Sequence, residues 1–184
     1  ELTSKNAAHP FTLKDQLGQT INSDIFNGKI TVLTFLYTEC PDVCPLTTAA
    51  LHKAYEMLGD DTHETNFVAI TVDPDRDNAQ AAYSYSKKWD MLDKWIFLTG
   101  TNEELKPIWQ AYYIALVPNT SLSNKSSSKN TAGSEISAAT RTAGYIVDHP
   151  APVYLIDRNG KMRVVYTDLT LNPNPLVNDI RLLL

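Results

Sequence analysis

Cys40 and Cys44 are the only cysteines in this 184-residue chain, and they stand four positions apart in the run Cys40-Pro41-Asp42-Val43-Cys44-Pro45. Two are too few for a disulfide scaffold, and their closeness points to a shared site. At a spacing of four in helical geometry the sulfurs can face the same way. Their expected Cα separation, about 6 Å, permits a disulfide. It equally permits one shared metal ion. Soft thiolates select copper(I), zinc or iron–sulfur clusters. Two cysteines cannot build a cluster alone, and a zinc site wants four ligands. Copper, which is satisfied by three donors as Cu(I), is the better match.

These residues need a frame to hold them. Residues 30–38, ITVLTFLYT, form a nearly unbroken β-branched, aromatic and aliphatic run, as expected for a central strand covered on both faces. Directly after it, residues 40–58 keep helical spacing at Val43, Thr47, Leu51, Ala54 and Leu58, with Pro45 tolerated in the first turn. Strand-helix pairs follow at 66–74 with 77–89 and at 95–100 with 102–113. The chain closes with 145–157, a turn at 158–160, a strand at 161–167 and a helix from about Leu176. Residues 11–21, around Leu17-Gly18, read as a small hairpin. Alternating strands and helices imply an α/β domain with a mostly parallel sheet and a final antiparallel hairpin, the thioredoxin-like order. Residues 1–10 read as a flexible tail and 11–184 as one domain. Within it, 118–141 is rich in Ser, Asn, Thr and Ala without periodicity, and reads as a mobile insertion before the last strands.

That order puts Cys40 at the carboxyl end of a buried strand, where open α/β sheets bind ligands. Cys44 falls in the first helical turn, where main-chain N–H groups and the helix dipole favour a thiolate. Of the four histidines, His9, His52 and His63 read as solvated surface residues. His149 lies in the loop before the strand VYLID, which in a thioredoxin-like sheet faces the cysteine turn. It is the candidate third ligand.

Three stretches, YTECPDVCP (37–45), ITVDPDRD (70–77) and YIVDHPAPVYLID (145–157), resemble the signature segments of the Sco/SenC family. The resemblance covers most of the chain from Phe11 onward, apart from the insertion. It implies a thioredoxin-like domain that holds copper, Cu(I) or Cu(II), through Cys40, Cys44 and His149. It also implies a partner, the copper-centre subunit of cytochrome c oxidase, and possible exchange with another copper chaperone or a thiol reductant. Members are tethered by an N-terminal membrane helix and face the periplasm or, in mitochondria, the intermembrane space. The first residues here lack the basic start and apolar run of a signal peptide, so a tether is expected upstream. An extracytoplasmic, membrane-tethered location follows from the resemblance.

Around the ligands, Asp148 is a candidate to orient His149 from the next shell. Asp75 reads as a turn residue and Asp77 as the N-cap of the following helix. Tyr37, Trp95 and Tyr154 read as core aromatics. Pro152, just before the last central strand, matches the proline of disulfide-exchange relatives, so a cis Ala151–Pro152 bond is expected. The same proline supports a rival reading, a thiol–disulfide oxidoreductase cycling Cys40 and Cys44 between dithiol and disulfide. A purely structural disulfide would constrain little chain. The net charge of −5 argues against a broad nucleic-acid surface. No run of eighteen apolar residues is present to span a bilayer.

Overall fold

A computed structural model describes residues 7–115, 117–118, 147–148, 151–169 and 172–184. Its centre is a five-stranded sheet in the order β5-β4-β3-β8-β9. The strands are β3 (Ile30–Leu36), β4 (Thr65–Thr71), β5 (Ile96–Leu98), β8 (Val153–Ile156) and β9 (Met162–Tyr166). β3, β4 and β5 run parallel, while β8 runs antiparallel to β3 and pairs in turn with β9. All seven residues of β3 are buried, which is why their sequence shows no polar alternation. The final hairpin turns at Gly160, whose φ of 71° suits glycine.

Among the described residues four α-helices cover the sheet: α1 (Val43–Leu58), α2 (Ala79–Lys88), α3 (Asn102–Ala111) and α4 (Asn174–Leu183). α1 packs against α4, and Thr48 of α1 bonds the Tyr85 hydroxyl of α2 at 2.9 Å. On the face that carries Leu33 and Phe35, the Phe35 ring packs on Tyr112 and Tyr154 at 5.3 and 6.0 Å between centroids. Tyr37, Trp95 and Tyr154 are core residues, as the sequence suggested.

The N-terminal hairpin joins β1 (Thr12–Lys14) to β2 (Thr20–Asn22). Asp15 Oδ1 accepts from the N–H groups of Leu17 and Gln19, closing the turn. The hairpin clasps β5: Lys14 and Thr99 exchange main-chain bonds, and the buried Gln16 amide takes the N–H of Phe97 and gives to the carbonyl of Trp95.

Residues 7–10, assigned from sequence to the tail, run along the β8–β9 turn. Ala7 bridges Lys161, and the Ala8 N–H donates to the Gly160 carbonyl at 2.8 Å. Pro118, assigned to the insertion, belongs to a short strand: β6 (Val117–Pro118) pairs with β7 (Val147–Asp148). The rest of the insertion lies outside the described residues. No helix among the described residues is long and apolar enough to cross a membrane.

Candidate metal and redox centre

β3 ends at Leu36, and Tyr37 to Cys40 turn the chain into α1. The Cys40 N–H closes that turn on the Tyr37 carbonyl at 3.3 Å. Asp42 holds the N-cap position of α1 but makes no side-chain cap bond. The Cys44 N–H instead donates to Cys40 Sγ at 3.4 Å, so a sulfur stands where a capping oxygen is usual. One further turn along, Thr48 Oγ1 donates to the Cys44 carbonyl at 2.8 Å.

Both sulfurs are reduced, and their surroundings differ. Cys40 is 9% exposed and Cys44 is wholly buried. The Cys44 thiol donates to Cys40 and lowers its pKa to about 6 against the opposing effect of burial; main-chain N–H groups of Asp42 and Cys44 and the Tyr37 hydroxyl add to the lowering. The Cys44 thiol is pushed far up, first because it is the donor in that bond and then because it is buried. At neutral pH the pair is one thiolate backed by one thiol. Such a donor set suits a soft metal, which would displace the remaining proton on binding.

The turn that carries Cys40 is pinned from β4. Asp77 is only 2% exposed and is not the N-cap of α2; Asn78 caps that helix through the Ala81 N–H. The Asp77 carboxylate accepts from the Thr38 N–H at 3.2 Å, from the Thr38 hydroxyl at 2.5 Å and from the Thr71 hydroxyl at 2.6 Å. Burial raises its pKa to about 6 despite these donors. A second tie runs through Arg76, which pairs with the buried Asp73 and with Glu39, next to Cys40. Its guanidinium also lies over the Tyr37 ring, 5.4 Å from the centroid. Sequence alone reads Asp77 as a cap, because an acidic residue just before a helix has that local signature. The available signal was architectural: three aspartates and an arginine crowd the carboxyl end of a central strand.

His149 lies outside the described residues, so its place among the sulfurs is not described. Asp148 is placed only by its backbone, opposite Val117 in the β6–β7 ladder. Ala151, two positions after His149, shares a groove with Asp42, Val43 and Leu46 at the start of α1. The Ala151–Pro152 bond is trans, contrary to the expectation from sequence. The Pro152 carbonyl accepts from the buried Thr34 hydroxyl at 3.1 Å, which fits this segment against β3 in the trans form. His63 is exposed, as expected, and His52 sits at the surface between Asp90 and Glu56.

A family model described as SCO1/SenC matches residues 1–184. The chain belongs to the Sco family. It is 29% identical over 162 residues to a SCO2-like protein of Rickettsia prowazekii, covering 88% of this chain and 70% of that relative. Among solved structures it is similar to Bradyrhizobium japonicum ScoI with copper bound: TM-score 0.77, 26% identity, 97% of this chain and 99% of the other. Arabidopsis thaliana ScoI with copper bound gives a TM-score of 0.72 at 27% identity, over 96% and 99% of the two chains. The thioredoxin-like fold read from element order is that of these Sco structures. BsSco, described as a member of the Sco family of cytochrome c oxidase assembly proteins, shares the fold at a TM-score of 0.69 and 20% identity, over 98% of this chain and 95% of the other.

Proposed function

We propose that this chain is a copper-binding assembly factor. It holds one copper, as Cu(I) or Cu(II), through Cys40, Cys44 and His149, and passes it by ligand exchange to cysteines of the copper-centre subunit of cytochrome c oxidase. The observation that carries this reading is the sulfur pair itself: a partly accessible thiolate backed by a buried thiol, at the carboxyl end of the central strand. The relatives' bound copper supports the metal, and the groove shared by Ala151 and α1 supports His149 as third donor. The pinned Tyr37–Cys40 turn holds one ligand still, and the small accessible part of Cys40 is where an incoming thiolate approaches. The protein works outside the cytoplasm, tethered to a membrane by a segment upstream of this chain.

The test is a copper(I) competition titration of the reduced protein. One equivalent is expected to bind, with loss of binding on oxidation to the disulfide and weaker binding in Cys40→Ser, Cys44→Ser and His149→Ala. Unaltered affinity and Cu(II)-thiolate absorption in His149→Ala would remove that residue from the site.

One observation favours a second reading, thiol–disulfide exchange. The Cys40 thiolate, the less buried of the two sulfurs, can attack a partner disulfide, forming a mixed disulfide and releasing one partner thiolate, which takes up a proton. Cys44 then loses its proton and attacks Cys40 Sγ, so this chain's dithiol is oxidised as the partner's disulfide is reduced to two thiols. The trans Ala151–Pro152 bond withdraws the proline argument for this reading. Trapping a mixed disulfide with Cys44→Ser, but not with Cys40→Ser, is its expected signature.

A further inference from the structure

Beside the sulfur turn, the start of α1 and the segment that leaves β9 enclose an open groove of about 340 Å³. Val43 and Leu46 line it from the helix, Asp168 and Leu169 from the other side. Leu169 and Ala151 are buried, so the groove has apolar surface at its base. Leu46 is 49% exposed, although it stands between the buried Cys44 and Thr47. A single exposed leucine means little. One that opens onto an apolar-based groove rimmed by charge has the composition of a docking surface. The groove is continuous with the sulfur pair, because Asp42 lines it and the Asp42 N–H points to the Cys40 sulfur. The Asp42 side chain makes no cap bond and is exposed. A carboxylate there opposes the charge of the neighbouring thiolate, so neither helix stability nor the thiolate accounts for it. Asp168 brings a second carboxylate, and among the described residues no Lys, Arg or His lines the groove.

We propose, resting on the assembly-factor reading, that this groove seats the cysteine-bearing segment of the partner that receives the copper. That segment carries an aliphatic or aromatic side chain, which packs against Leu46, and a Lys or Arg, which faces Asp42 and Asp168. Each half of the match has its own effect. The opposite charges speed encounter and set the direction in which the segment lies, and like charges turn acidic segments away. The apolar contact slows departure. A segment held there has its sulfur beside Cys40, the sulfur with accessible surface, rather than Cys44, which is wholly buried. Leu46, Asp42 and Asp168 thus select the partner, while the cysteines do the chemistry.

The experiment mixes the whole reduced protein with three short peptides, each bearing one cysteine joined to thionitrobenzoate. The cysteine is flanked by Leu and Lys, by Leu and Glu, or by Ser and Lys. The Cys40 thiolate attacks the peptide sulfur: the peptide–thionitrobenzoate bond breaks, a Cys40–peptide disulfide forms, and thionitrobenzoate leaves as the coloured thiolate. The reaction needs no copper, so its outcome is separate from that of the copper(I) titration. The Leu-Lys peptide is expected to react fastest, Leu-Glu about tenfold and Ser-Lys about fivefold more slowly. The Lys-over-Glu preference should fade in roughly 1 M salt, where charges more than about 3 Å apart are screened. Leu46→Ser should erase the Leu-over-Ser preference while its iodoacetamide rate stays as in the wild type. Asp42→Asn with Asp168→Asn should remove most of the Lys-over-Glu preference. The same loss of two charges by Glu56→Gln with Asp60→Asn, at the far end of α1, should leave it. Equal rates for the three peptides would overturn the proposal. So would a Leu46→Ser protein that still prefers Leu to Ser, or equal loss of the Lys preference at both pairs of acids.

Discussion

Helices α1 and α3 both follow a parallel strand of the same sheet, yet they begin in different ways. α3 starts with a complete capping box: Thr101 takes the Glu104 N–H, and the Glu104 carboxylate takes the Thr101 N–H. α1 starts with Asp42, which caps nothing, and gives a first-turn N–H to the sulfur of Cys40. Where only stability is at stake, oxygen meets the free N–H groups. At α1 the same donors are spent on keeping a thiolate charged. The stability withheld there is supplied from outside the helix, by Asp77 and Arg76 holding the preceding turn.

This contrast can be broken experimentally, beginning with the largest effect. Alkylation of the reduced protein by iodoacetamide should modify Cys40 and spare Cys44. Its rate should fall about tenfold per unit below pH 6 and level off above it, where an unperturbed thiol would level off near 9. A profile centred near 9 would show that α1 gives its N–H groups no electrostatic use. The linked stability follows in sign: a lowered thiol pKa stabilises the reduced fold above pH 9 and loses that contribution as pH falls towards 6. Cys40→Ser should flatten this part of the curve.

Next comes Asp77. Asp77→Ala strands the Thr38 N–H and two hydroxyls, and should cost about 3 kcal/mol in urea unfolding. Asp77→Asn keeps one of the two acceptor oxygens and should cost less. It should also remove a component that runs the other way with pH. A raised carboxyl pKa stabilises below 3.8, and that contribution is lost as pH rises through about 6. If Asp77→Ala unfolds like the wild type, the turn is not held from β4. Third, Thr101→Ala should cost about 1 kcal/mol by loss of the capping box. The smallest effect sharpens the comparison most: Asp42→Ala should change stability by no more than about 0.5 kcal/mol, because Asp42 caps nothing. An equal cost at both positions would erase the difference between the two helix starts.

The frame was legible because its signals are periodic. β3 shows as an unbroken apolar run, α1 as Thr47, Leu51, Ala54 and Leu58 in register, and the hairpin as a polar-apolar alternation around Gly18. The sulfur pair was legible from spacing alone. Asp77 was not, since its partners Thr38 and Thr71 lie on two different strands' ends and no local pattern links them. The docking of residues 7 and 8 on the β8–β9 turn was hidden for a similar reason, since it joins segments far apart in the chain. Pro152 was read by analogy with disulfide-exchange proteins, and the Thr34 hydroxyl that receives its carbonyl is invisible in sequence.

Gln16 has a consequence for how copies of this protein meet. Its carboxamide imitates a peptide group, filling the Phe97 N–H and the Trp95 carbonyl on the outer side of β5. With Lys14 and Thr99 exchanging main-chain bonds beside it, that flank offers no free row of donors and acceptors. A neighbouring molecule therefore cannot extend the sheet there, and fibre-like stacking through both flanks is closed off. Among the described strands of the central sheet, β9 is the edge left for pairing, where association can stop at two copies.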